Sequence, residues 1–394
     1  MREFREMAGR WPWGGGSIRR SLRHLTAPRT GVGTVAWSMN VLSQIVVVPL
    51  VGPFHTRFPR YNAFDVRDAL RAAGVEALAL APLAPGALEG QEWRGTDEIA
   101  LPLAVVPWAL RAGIALHEVG SFAGGEGEPG EAGAEREFEE LLSRFEAGQE
   151  RLRRVRQAEE PIERLLASPL DLRRVRSELM PAVEAYHGVR AAEFGEGPGT
   201  GWARARAAVM AERVLALPHR RVALLAGVDD LVNLLPALSG HVELEQLTLA
   251  PEPSEEARGR ALLDAAMRGE VEEPAGLLAA LRELGTPEAG YLEANILLEH
   301  AHLAEALEVL QRVLRTDFQE PYYLPGFMLA RLGQVYDLAG RRADALRSYR
   351  GVLALSYSPA EAIEAAKAGM ETPFGAELDG ASEGTDGPSD DHGG

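Results

Sequence analysis

The sequence predicts an α/β fold class: an open, mostly parallel sheet carrying a helical insertion, followed by an all-α helical repeat domain. Three observations lead there. Short uninterrupted apolar runs alternate with amphipathic stretches over residues 44–119, the pattern of parallel strands covered on both faces. Residues 135–217 then read as helix before strand-like runs resume at Arg221. Beyond Ser254 only helical periods remain, and they recur.

Gln44–Val51 is a continuous apolar run closed by Gly52 and Pro53, a buried first strand. Asn62 is placed to cap a helix over about residues 63–73, with Phe64, Val66, Ala69 and Leu70 on one face and Gly74 as its stop. Val75–Ala81 predicts a second strand, ended by Pro82. Gly86–Asp97 reads as a loop, and Ile99–Ala112 as a helix that Pro107 interrupts. Ile114–Val119 supplies a third strand, and Gly120–Gly133 is a loop rich in Gly and Glu. Residues 135–194 read helical throughout, cut by Pro161, Pro169 and Pro181, with Pro161 and Pro181 expected in first helical turns. A Gly/Pro loop leads to a helix over Trp202–Leu217 and a fourth strand over Arg221–Ala226. A helix over Asp229–Leu238 and an edge-like fifth strand within Val242–Leu249 complete the sheet domain. Its expected span is 39–250; helical repeats follow over 251–374, and 375–394 reads as a disordered acidic tail.

Composition narrows the chemistry. A length of 394 residues gives two to three domains at roughly 150 residues each. The absence of cysteine excludes disulfides, thiolate nucleophiles and cysteine-ligated metal centres. Fifty-eight acidic against 41 basic residues give a net charge of −17. That balance argues against nucleic acid as a partner and against an anionic membrane surface. The sequence holds no Gly-Lys-Ser/Thr, no GxSxG and no HExxH. Charge is uneven: seven arginines against two glutamates give residues 1–38 a net +5, leaving −22 for the rest. This start admits three readings: a disordered or over-called leader with translation beginning near Met39, a targeting segment, or a structured part. Arg19-Arg20 and the uncharged residues 30–54 favour targeting, whereas the β-branched run Ile45–Val48 suits a buried strand. The chain is expected in the cytoplasm, with export following if residues 1–54 act as a signal or anchor.

The clearest helical repeat carries Leu332-Gly333, Tyr336, Gly340, Ala345, Tyr349 and Pro359. An earlier unit places Ala294, Leu297, Ala306 and Leu310 at equivalent spacing, and residues 255–284 offer a weaker hairpin. This region resembles the tetratricopeptide-repeat family over about residues 255–372, with a plain helical bundle as the alternative. The resemblance implies a concave groove lined by the first helix of each repeat, accepting a protein or peptide of basic or neutral character. Asn295, Glu299, Arg331 and Gln334 are then the partner-binding candidates.

Ligands of open parallel sheets bind beyond the carboxyl ends of strands. That rule selects His55, Ala81-Pro82, His117-Glu118 and Asp229-Asp230. Gly52-Pro53-Phe54-His55 follows strand one, Arg206-Ala207-Ala208-Val209-Met210 lies on a helix, and Gly227-Val228-Asp229-Asp230 follows strand four. Over about residues 44–249 this layout resembles the superfamily of TIKI proteases, TraB proteins, erythromycin esterases and ChaN haem-binding proteins. Asp230 stands where that family has a histidine, and Leu80-Ala81-Pro82 lacks the glutamate the family places after strand two. The resemblance implies a divalent metal on His55 and Asp230, with Glu118 beside them. Such a metal would acidify a bound water, and Arg206 would neutralise oxyanion charge. His55, Arg206 and Glu118 are thus the catalytic candidates.

Two functions follow from different features. The repeats and the altered motifs favour an interaction or scaffold protein whose sheet domain has lost its chemistry. The alternative is a metal-dependent hydrolase or small-ligand-binding protein.

Overall fold

The computed structural model describes residues 42–121, 131–269, 274–316, 318 and 320–375. The leader 1–38, the tail beyond residue 375 and most of the loop 120–133 lie outside the described residues. The described chain packs into two units, one ending at Asp264 and one beginning at Ala265.

Five parallel strands build the first unit: β1 Gln44–Leu50, β2 Ala77–Leu80, β3 Ala115–Glu118, β4 Arg221–Gly227 and β5 Glu243–Gln246. Their order is β3-β2-β4-β1-β5. In register, Ile45 lies opposite Val222 and Val48 opposite Leu225. The apolar runs are needed because the interior strands are buried on both faces. Ile45, Val47, Ala77, Ala79, Val222 and Leu224 form one core cluster. Val46, Val48, Leu78, Leu80, Ala223 and Leu225 fill the other face and are fully or almost fully buried. Burying each such aliphatic side chain stabilises the fold by roughly 1.5–3 kcal/mol. β5 pairs only with β1, the edge position its weaker apolar pattern predicts.

Helices cover both faces. α1 Ala63–Ala73 begins at Asn62, whose side chain accepts from Phe64 and Asp65 N–H while Asp65 returns a bond to Asn62 N–H. Gly74 closes it at φ 61°, a left-handed turn that glycine adopts without strain. The stretch 99–112 enters as a π-helical turn, Leu101–Val105, and continues as α2 Val106–Ala112. Pro107 sits in the first turn of α2. It lies within one continuous helical run, and the wider π-turn directly ahead of it is where the α-helical pattern is interrupted, as a proline without an N–H requires. The insertion, expected over residues 135–217, opens with three main helices: α3 Glu131–Ser143, α4 Glu146–Leu166 and α5 Met180–Phe194. Pro181, expected in a first turn, follows a π-helical turn, Val175–Leu179, inside a continuous helical run that begins at Leu172. Pro161 does not open a helix; it lies inside α4, which forgoes one backbone bond there. α6 Gly201–Leu215 and α7 Val228–Leu238 pack Ala207, Met210, Val214, Leu231 and Leu234 onto the first sheet face.

α8 Glu255–Arg268 opens beyond the sheet, and the division between units falls within it. Its first turns belong to the sheet unit through specific bonds. Asn62 Nδ2 donates to the Ala257 carbonyl at 3.0 Å, and Ser254 Oγ to Asp68 at 2.6 Å. The expected boundary at residue 250 therefore lies ahead of the place where the packing divides.

The second unit is all helix: α9 Pro274–Leu284, α10 Pro287–Glu299, α11 Leu303–Leu314, α12 Leu324–Leu338, α13 Arg342–Ala354 and α14 Ala360–Glu371. Tyr349 of α13 is fully buried between two glycines. A Cβ on Gly333 of α12 would stand 2.3 Å from the Tyr349 ring, as would one on Gly369 of α14. The Tyr349 hydroxyl donates to Asp337 at 2.9 Å, and Arg342 pairs with the same buried carboxylate at 3.0 Å.

Candidate functional site at the carboxyl ends of β1 and β4

β1 and β4 are neighbours whose following connections leave in opposite directions, β1 toward β2 and β4 toward β5. The crevice at such a switch point is where ligands bind in open α/β sheets. Gly52 turns the chain after β1 at φ +59°. Its N–H donates to Glu98 Oε2 at 2.8 Å. On the β4 side, Gly227 caps α7, and a Cβ at that glycine would approach Glu98 Oε1 to 3.2 Å. Glu98 is thus bonded at the end of β1 and lies against the end of β4, reaching across from the turn ahead of Leu101. Burial chiefly, with the charges of Asp230, Asp97 and Asp229, pushes its carboxyl up to about 7, against one favourable bond from Gly52.

Charged partners surround it. Asp229 and Asp230 stand in the first turn of α7, where the helix dipole favours acids. Arg206 of α6 pairs with Asp230 at 2.7 Å, both side chains about three-quarters buried. His187 of α5 meets Asp229 at 3.3 Å. A carboxyl that titrates near neutrality can both take and give a proton at physiological pH. The Arg206–Asp230 pair supplies fixed charge beside it.

The expected residues fare differently. Arg206 and Asp230 come together. His55 does not join them: it is 1% exposed, in the core. Val51 N–H donates to its Nε2 at 3.3 Å, so Nδ1 carries the proton and donates to the Tyr61 carbonyl at 2.7 Å. Both nitrogens are occupied, leaving no lone pair for a metal. Burial holds the imidazole neutral, its pKa lowered to about 4. Glu118 is spent on the loop after β2, accepting from Gly86 N–H at 2.8 Å and from Leu88 N–H. His117 turns to His219, Nε2 to Nε2 at 2.9 Å. The implied set of His55, Asp230 and Glu118 therefore does not fit a divalent cation. Among the described residues no group of three or more His, Asp or Glu is arranged to hold one. No step is routed through a metal.

In the helical unit, Arg331 donates to Gln334 at 2.9 Å. Among the described residues, the buried atoms Asn295 Oδ1 and Arg331 Nε have no hydrogen-bond partner, while Glu299 is exposed. Sequence reasoning missed Glu98 and His187. The acidic pair Asp97-Glu98 ahead of an apolar helix was the available signal, but it reads as an ordinary helix start.

Fold and site together define a parallel α/β unit with a carboxylate at the switch point of its sheet, and a second, all-helical unit. Comparison of the chain with protein-family models, with curated proteins and with solved structures finds no match. Among the described residues no helix is long and apolar enough to cross a membrane.

Proposed function

We propose that the sheet unit binds a small polar ligand at the β1–β4 crevice and acts on it by proton transfer through Glu98. The resemblance to the TIKI, TraB and erythromycin-esterase superfamily supports a hydrolase-type reaction at this end of the sheet, here without the family's metal set. The observation that carries the reading is the placement of Glu98, bonded to Gly52 and set against Gly227 where the two strands end. In hydrolysis its carboxylate would take the proton of an attacking water and return it to the leaving group. The test is a panel of ester and amide substrates assayed across pH. Turnover should show an ionisation near 7 and fall about a hundredfold in Glu98→Gln. Turnover indifferent to that substitution, or a Glu98 carboxyl titrating near 4.5 by NMR, would overturn the proposal.

A second reading has its own observation. The exposed Glu299 and the partly exposed Asn295, Arg331 and Gln334 of the helical unit support a tetratricopeptide-like module that docks an extended segment over these four residues. Probing a peptide array with the full chain tests this: binding should vanish in the double variant Asn295→Ala, Arg331→Ala. Binding unchanged by that variant removes the reading.

A further inference from the structure

The helical unit holds a cavity of about 610 Å³ walled by α9, α10 and α11, within the usual range for small-molecule sites. It shares none of the residues named above. Its polar centre is a carboxylate gripped from two sides. Glu293 of α10 has a side chain only 5% exposed. Arg282 of α9 donates from Nε to Oε1 at 2.6 Å, and Arg312 of α11 from Nη2 to Oε2 at 3.3 Å. The two arginines are not buried with it: their side chains are 54% and 59% exposed. Among the described residues, both Nη groups of Arg282 and the Nε and Nη1 of Arg312 make no hydrogen bond.

Charge and shape select the occupant. Two guanidinium groups against one carboxylate leave the cavity a net positive charge, in a chain whose total is −17. Thr286 and Pro287 bring the N-terminus of α10 to the same wall, adding its partial positive charge. Leu281, Pro287, Val313 and Phe318 make the remaining wall mostly apolar, with Thr316 at its edge. Gly290 allows this floor to close: a Cβ there would come within 2.5 Å of Val313 Cγ2. We infer that this cavity binds an organic monoanion, a planar carboxylate on a short apolar stem. The carboxylate would take the free guanidinium N–H groups of Arg282 and Arg312, a geometry that suits the arginine fork. Glu293 then competes with that ligand: it occupies part of each guanidinium and lowers their combined charge.

Calorimetric titration of the full chain with hexanoate tests the assignment, with hexylammonium and inorganic phosphate as the contrasting probes. Hexanoate should bind, hexylammonium should not, and phosphate should bind at least about tenfold more weakly for want of the stem. Arg312→Gln should weaken hexanoate about tenfold. Glu293→Gln should tighten it, because it frees both arginines, and it leaves no buried charge uncompensated if the Arg312 variant folds poorly. Absence of hexanoate binding, binding of hexylammonium, equal affinity for phosphate, or weaker hexanoate binding in Glu293→Gln would each overturn the inference.

Discussion

At the scale of single residues, two titratable groups at the β1 end, the buried His55 and the partly buried Glu98, pull stability in opposite directions. His55 is neutral when folded, with its pKa near 4 against 6.5 in a free chain. Below pH 6.5 the unfolded chain therefore binds more protons, and stability falls with pH until about 4, by up to about 1.4 kcal/mol per pH unit. His55→Asn should lose about 1–3 kcal/mol at pH 7.5, because Val51 N–H is orphaned. The gap between variant and wild type should then narrow as pH drops to 5, which urea titration at each pH measures. Glu98 behaves inversely. Its folded carboxyl titrates near 7 instead of 4.5, so the folded state binds more protons across that window and stability declines as pH rises through it. Glu98→Gln should therefore be more stable than wild type above pH 7, by about 1–3 kcal/mol, even as it loses proton transfer. A variant less stable than wild type at pH 8 would refute the strained carboxylate. These two residues also mark what could be read in advance. A Gly-x-x-His after a strand is legible as a string, but its histidine's two backbone partners are not. Glu98 takes its bond from Gly52, 46 residues away, and no local pattern announces such a pairing.

At the scale of elements, the strands were the most legible part, because a strand buried on both faces must be apolar without interruption, as Ile45–Val48 and Val222–Ala226 are. Their order was not legible: pairing β1 between β4 and β5 is decided by packing across more than 170 residues. The mid-helix Pro161 shows a related limit, since first-turn and interior prolines look alike when neighbouring periods are helical on both sides. In the helical unit, Gly333 and Tyr349 stood out by spacing, and the structure gives the physical reason. The small residue on α12 and Gly369 on α14 let both helices close on one ring. Gly333→Ala would place a methyl group against the Tyr349 ring, which Gly369 backs on the other side and whose hydroxyl is tied to Asp337. We expect a loss of about 1–3 kcal/mol from overpacking, offset only in part by the better helix propensity of alanine. The double variant Gly333→Ala, Tyr349→Leu should recover most of it in thermal melts. Recovery would identify the ring, and not the helix backbone, as the constraint.

At the scale of the whole molecule, the question is where an independently folding sheet unit ends. The hydrophobic pattern places the change near residue 250, after the last strand-like run, because everything beyond reads as helix. Packing places it within α8, after Asp264. The difference is physical: the first turns of α8 complete the polar shell of α1. Asn62 is wholly buried, and its amide needs the Ala257 carbonyl. Arg67, also buried, reaches Glu256, and Asp68 accepts from Ser254. Arg260 and Asp264 form a pair whose side chains are 3% and 4% exposed, which a chain ending at 250 simply lacks. A fragment of residues 42–250 would thus leave the cap of α1 with an unsatisfied buried donor and strip apolar cover contributed by Ala257 and Leu263. An orphaned buried donor costs about 1–3 kcal/mol, and each uncovered aliphatic group adds to it. We expect residues 42–269 to unfold in urea as a single cooperative step by circular dichroism, with 42–250 unfolding at a clearly lower midpoint. Asn62→Ala in the longer fragment should lose both its cap and its bond to Ala257, reproducing part of that drop. Equal midpoints for the two fragments would mean that α8 adds nothing to the sheet unit and that the boundary lies at 250 after all.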